Sequence, residues 1–141
     1  MVPWGPNEES GRARHKGRGM LETFIEFSFE AAHKVPPYSG VHGHTFKATV
    51  YLNGERDPIF GWTHNLYDLE AVIGGLKQQL DNSYLNEIDG LEVPSLENVA
   101  VWIWDRLDNQ VAGLDRIMLR RGLDGAGEGC CYSGRTMRDA A

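Results

Sequence analysis

Three histidines carry the first chemical signal in this chain. His42 and His44 stand two apart around Gly43, and His33 closes the alternating segment that precedes them. A β-strand sends residues i and i+2 to one face, so a strand opening at His42 projects both imidazoles to the same side. If the preceding segment pairs with it as an antiparallel hairpin, the end of the first strand lies beside the start of the second. All three rings then converge at one end and on one face. Three imidazoles with a fourth position left open form the donor set of a catalytic rather than a structural zinc. A lone histidine is ordinarily a hydrogen-bonded core or surface residue, but three crowded on one face repel once protonated and are not explained that way. Gly43 removes a side chain between two ligands and eases a local twist. His15 and His64 fall outside this geometry.

The elements that must position these rings are legible in the alternation around them. Leu21, Thr23, Ile25, Phe27, Phe29 and Ala31 share the odd face of one strand, opposite Glu22, Glu26, Ser28 and Glu30. From His42 onward, His44, Phe46, Ala48, Val50 and Leu52 share a face, opposite Thr45, Lys47, Thr49 and Tyr51. Period-two patterning of this kind marks half-buried strands. Pro36-Pro37-Tyr38-Ser39-Gly40 between them is turn-rich and too short for a crossover, which predicts the antiparallel hairpin.

Helical spacing follows in Leu66, Leu69, Val72, Ile73, Leu76 and Leu80, with Gly74-Gly75 as a weak point unless close packing demands small residues there. A second helix is predicted after Pro94, capped by Ser95, with the stripe Leu96, Val99, Ala100, Ile103 and Leu107. Trp102 and Trp104 flank that stripe as core or subunit contact. Arg116 to Arg121 reads as a third strand, and a glycine-rich Gly122–Gly129 turn leads to a fourth around Cys130 to Ser133. The order ββααββ gives an α+β class: a four-stranded antiparallel sheet with two helices on one face. Such a sheet has two open edges, which invite pairing with further copies of the chain.

The whole sequence has 141 residues and a formal net charge of −6, which fits one domain and disfavours a nucleic-acid partner. Residues 1–19, with Arg12, Arg14, Lys16 and Arg18, are predicted to be a disordered basic tail, leaving 20–141 as the single domain. No apolar run reaches the ~18 residues needed to span a membrane, and no secretory signal is visible. The two cysteines, Cys130 and Cys131, are adjacent and badly placed to bridge each other, so a reducing cytoplasm is expected.

Ala31-Ala32-His33 followed by His42-Gly43-His44 at the opening of a strand resembles the zinc signature of the 6-pyruvoyl-tetrahydropterin synthase and 6-carboxytetrahydropterin synthase family. The resemblance runs from about Leu21 to Gly134, with Leu80-Asp81-Asn82-Ser83-Tyr84-Leu85-Asn86 similar to the stretch after that family's first helix and Pro94-Ser95-Leu96-Glu97-Asn98 similar to the opening of its second. It implies the tunnelling fold, in which ββααββ protomers close into an oligomeric β-barrel as a trimer, usually stacked as a hexamer. It also implies zinc held by His33, His42 and His44, a pterin-like ligand, sites at subunit interfaces, and lyase chemistry that eliminates triphosphate or cleaves the side chain.

Departures from that pattern qualify the activity. The family usually carries a cysteine as general base shortly before the His-Gly-His element; Val35 to Val41 contains none. Its catalytic Asp-His pair stands here as Asp81-Asn82, leaving Asp81 as the catalytic candidate and proton acceptor. Tyr38 or Ser39 is a partial substitute for the base. The pterin-anchoring glutamate expected late in the third strand aligns with Arg121. Gly61 to Leu66 replaces a short hydrophobic segment ending in aspartate. A cooperative proton-transfer unit fails together when members are lost, so the standard reaction is expected to be lost or altered. The other expectations are an ordinary synthase with relocated residues such as Cys130 or Cys131, and a non-catalytic pterin-binding oligomer.

Overall fold

The computed structural model describes residues 21–123 and 125–134; the predicted basic tail, with His15, lies outside them. β1 (Leu21–His33) and β2 (His42–Gly54) form the expected antiparallel hairpin, paired from Leu21 opposite Gly54 to His33 opposite His42. β2 then pairs antiparallel with β4 (Leu114–Arg121), which pairs antiparallel with β5 (Glu128–Tyr132). Helix α1 (Leu66–Leu80) is capped by the Asn65 side chain, which accepts from the Tyr67 N–H. Helix α2 (Leu96–Leu107) is capped by Ser95, whose hydroxyl oxygen accepts from the Asn98 N–H, as predicted. No helix among the described residues is long and apolar enough to cross a membrane.

One strand carries no local signature in the sequence. β3 (Ser83–Tyr84) adds a fifth strand, parallel to β1 at Ala31 and Ala32, so the sheet order is β3-β1-β2-β4-β5. Two residues are too few to show period-two patterning, and their pairing depends on a partner far away in sequence. The α+β architecture with two helices stands; the four-strand count does not.

The core joins the odd face of β1, the even face of β2, Ile117 and Leu119 of β4, and the apolar stripes of both helices. Phe29 and Phe46 stack with ring centroids 5.0 Å apart, directly behind the histidine end of the hairpin. Burying a side chain of this size stabilises by about 1.5–3 kcal/mol relative to leaving it in water. Trp102 and Trp104 are both core residues. Gly74 and Gly75 have open space where a Cβ would stand, so close packing does not explain them. The opposite sheet face carries no helix stripe and is laced by pairs such as Lys47–Glu26 at 2.9 Å and Arg116–Glu22.

Candidate metal centre

The hairpin register brings the three imidazoles together. His33 pairs directly with His42, and Ala31 with His44, so the rings occupy one face at the closed end of the hairpin. Ring centroids are 4.6 Å apart for His33 and His42, 5.1 Å for His33 and His44, and 4.7 Å for His42 and His44. One nitrogen from each lies within 4.8 Å of the others.

Their protonation favours lone pairs directed at a common point. The His33 Nδ1–H donates to the carbonyl oxygen of Pro94 at 2.9 Å, which leaves Nε2 unprotonated in the neutral ring, 3.0 Å from His42 Nε2. His33 is fully buried, and burial pushes its pKa down, with the Pro94 bond opposing and His42 adding to the shift. Burial likewise lowers His44, followed by the positive field of Arg121. His44 Nε2 is buried without a hydrogen-bond partner. An orphaned imidazole nitrogen facing two more nitrogens is costly in a dry site and is relieved by a cation between them. Two nitrogens about 2.0–2.1 Å from one tetrahedral ion stand roughly 3.3 Å apart, close to the His33–His42 spacing. The three residues could therefore hold a metal ion, and His42 is the member of the set that is exposed to solvent.

Several residues that brace this end were not singled out in the sequence. The Asn86 side chain accepts from the Lys34 N–H at 2.9 Å and donates to the Lys34 carbonyl at 2.8 Å, clamping the chain just beyond His33. Pro94 supplies the acceptor for His33. Both lie inside the quoted Leu80–Asn86 and Pro94–Asn98 stretches, but contacts across so much sequence leave no local pattern.

The remaining candidates are distributed around the centre. Asp81 follows α1, and its Oδ1 accepts from the Glu30 N–H at 2.8 Å; it does not line the cleft beside the triad. Asn82 has a left-handed backbone, φ 55°, and its N–H donates to the Glu30 carbonyl at 2.6 Å. Tyr38 lines a cleft of about 490 Å³ together with His33, His42 and Arg121, while Ser39 is exposed in the preceding loop. Arg121 is the last residue of β4, and its Nε–H donates to Glu128 Oε1 at 2.7 Å. Cys130 packs against the core, and burial pushes its thiol up; Cys131 points to the other face and is exposed. His64 serves the fold, with Nε2 donating to the Asn53 carbonyl at 2.9 Å.

Comparisons with known proteins show the family and the fold. The chain is 38% identical over 104 residues to 6-carboxy-5,6,7,8-tetrahydropterin synthase of Synechocystis, covering 67% of this chain and 81% of that protein. It is 35% identical over 100 residues to dihydroneopterin monophosphate aldolase of Pyrococcus furiosus, covering 67% and 84%. The fold matches that of Caenorhabditis elegans 6-pyruvoyl tetrahydropterin synthase with a TM-score of 0.72 at 21% identity, over 83% of this chain and 97% of that one. The family model described as 6-pyruvoyl tetrahydropterin synthase matches residues 22–124, and the chain belongs to that family.

Proposed function

We propose that this chain is a zinc-binding homologue of the 6-pyruvoyl- and 6-carboxytetrahydropterin synthases that binds a pterin-like ring as a homo-oligomer, trimer or hexamer, in the cytoplasm, with the standard reaction lost or altered. The observation that carries the reading is the convergence of His33, His42 and His44 with a buried, unpartnered Nε2 on His44. Those three residues would hold the zinc, which supplies Lewis-acid polarisation of a hydroxyl or carbonyl oxygen on the ligand. The relatives, a 6-carboxytetrahydropterin synthase and a dihydroneopterin monophosphate aldolase, support a pterin-like ligand. Two free cysteines fit a reducing compartment.

The altered chemistry rests on what surrounds the triad. The loop from Val35 to Val41 offers Tyr38 and Ser39 in place of a thiol, and Asn82 follows Asp81 where a proton-relaying imidazole is expected. Asp81 remains the proton acceptor in this reading, held in place by the Glu30 N–H. A relocated cysteine is the weaker reading, because Cys130 is packed against the core with its thiol pushed up, and Cys131 faces away from the triad.

The test is a comparison of initial rates on dihydroneopterin triphosphate, zinc-replete, beside an active family member. Little or no triphosphate elimination is expected, with pterin binding retained. Turnover within about tenfold of the control would overturn the altered-chemistry reading, since losing general-base catalysis costs about 10²–10⁴-fold. Pterin binding with no turnover of any family substrate would identify a non-catalytic binding oligomer.

A further inference from the structure

His33 is aimed by a stretch of chain with no regular structure of its own. Residues 91–95, leading into α2, belong to no helix or strand. Yet three consecutive carbonyls within it are each taken by a side chain. The Glu92 carbonyl accepts from Asn86 Nδ2 at 3.5 Å, the Val93 carbonyl from Asn98 Nδ2 at 2.8 Å, and the Pro94 carbonyl from His33 Nδ1 at 2.9 Å. Pro94 is buried and has no N–H, so its own backbone offers no donor to anchor it. The direction of its carbonyl is set by the bonds on either side. Glu92, Val93 and Asn98 are exposed, where such bonds gain little over those made to water. Their effect is on direction more than on stability.

Asn86 works on two segments at once. Its Oδ1 accepts from the N–H of Lys34, the first residue past β1, at 2.9 Å, and its Nδ2 donates to the Lys34 carbonyl at 2.8 Å. A primary carboxamide has two N–H donors; one holds Lys34 and the other reaches Glu92. The bonds close a ring: from His33 along the backbone to Lys34, across to Asn86, on to Glu92, along the chain to Pro94, and back to the His33 imidazole. Asn98, in the first turn of α2, pins the middle of that arc at Val93. The circuit fixes both the backbone at His33 and the acceptor that selects its Nδ1–H tautomer. Opening it frees the Pro94 carbonyl to swing, and His33 Nε2 is then no longer held toward the other two rings.

We propose that Asn86 and Asn98 are positioning residues of the three-histidine centre. They hold the Pro94 carbonyl where it aims His33, and so set the affinity and the coordination geometry of the bound ion. The proposal rests on the metal-binding reading above. Both side chains act through His33 and donate nothing to the ion themselves.

The test uses the full chain, titrated with cobalt(II) and read by visible absorption, with zinc affinity measured by competition against a chromophoric chelator. Asn98→Asp keeps the shape of the side chain but loses the Nδ2 donor. A carboxylate in the first turn favours the helix, so a fall in affinity is not an unfolded α2. Its negative charge also favours a nearby cation, which works against the expected loss. Asn86→Ala opens the circuit at Lys34 and Glu92. Each variant should lower zinc affinity by about tenfold, the lower end of what losing an outer partner costs, and should shift or weaken the cobalt absorption. The double variant should lose less than the product of the single losses, because both residues hold one carbonyl. Gly113→Ala is the control for lost stability, since a Cβ there presses on the Asn53 carbonyl at the far end of β2. It should lower the melting temperature and leave affinity and spectrum unchanged. Asparagine variants that keep zinc affinity within about twofold, well short of an outer partner's effect, and keep the parent cobalt spectrum would overturn the inference and make both residues ordinary braces of the loop. If the parent chain takes up neither ion, the metal-binding reading itself fails, and this inference with it.

Discussion

The Nδ1–H of His33 donates to the carbonyl oxygen of Pro94 at 2.9 Å, tying the last residue of β1 to the residue just before the cap of α2. The bond selects the tautomer of the most buried ring in the triad and fixes its rotation, so the direction of one lone pair depends on where the second helix begins. Outer partners of this kind raise the basicity of a metal-binding imidazole and hold it in place. The short Pro94-Ser95 sequence thereby serves two purposes: Ser95 caps the helix, and the preceding carbonyl orients the centre.

Metal content follows directly. Purified protein should carry about one zinc per chain by elemental analysis, and His44→Ala should lower affinity by more than the roughly 10–100-fold typical of losing only an outer partner. Absence of zinc after reconstitution of the folded protein would remove the centre from the account.

Burial lowers the pKa of both His33 and His44, and this sets a sign for pH dependence. An unfolded imidazole titrates near ~6.5. Where the folded value is lower, the unfolded chain binds more protons, so the contribution to stability is complete above ~6.5 and is lost as pH falls from there toward the folded values. The metal-free protein should therefore melt at a lower temperature at pH 5.5 than at 7.5, and His33→Gln should flatten that slope. With zinc bound, the decline should steepen, because protons compete with the ion for the same nitrogens.

The hairpin, both helices and the triad were readable because each rests on a local period: two for the strands, about three and a half for the helices. His33, His42 and His44 could be brought together from sequence because alternation and a short turn leave one sensible register. β3 was not readable, since Ser83 and Tyr84 are paired only through Ala31 and Ala32. Asn86 and Pro94 were missed as braces for the same reason: their partners are Lys34 and His33, on an element formed much earlier in the chain. The substitution at Arg121 was visible, but its partnership with Glu128 required the β4–β5 register across a glycine-rich turn of uncertain length.

Gly113 is a site where the fold admits no side chain. Its φ is +75°, its carbonyl accepts from the Asn53 N–H at 2.8 Å, and a Cβ there would press on the Asn53 carbonyl and the His64 ring. Gly113→Ala should destabilise the protein by about 2–4 kcal/mol, combining backbone strain with overpacking. Chemical denaturation measures it, and zinc stoichiometry of the folded fraction should not change, because the triad lies at the opposite end of β2.

Assembly can be weighed from the edges. β3 covers only Ala31 and Ala32 of β1, and β5 has no neighbour on its outer side among the described residues. Phe24, on β1, is 56% exposed on the face without helices. Open edges beside apolar surface favour pairing with further copies. Sedimentation should show a trimer or hexamer at micromolar concentration, and a clean monomer would exclude a closed barrel.

The final prediction concerns the missing base. Proton abstraction beside a polarised carbonyl needs a group that titrates near the working pH and lies within hydrogen-bond reach of the carbon. Tyr38 offers a phenol and Asp81 a carboxyl where the task calls for a thiol supported by an imidazole, and Asp81 does not line the cleft beside the triad. Tyr38 also lines the cleft with His33 and His42, whereas Asn82 lines the one containing His44 and Gly43. A restored relay must therefore be built from both sides of the triad. Tyr38→Cys together with Asn82→His should raise any residual triphosphate elimination by more than the product of the two single changes. The left-handed backbone at Asn82 accepts histidine more readily than most residues, so the second change need not cost the fold. Initial rates of the four proteins, each zinc-replete and matched for zinc content, decide it: a double variant no faster than the better single one would show that the lost thiol and imidazole are not what limits this chain.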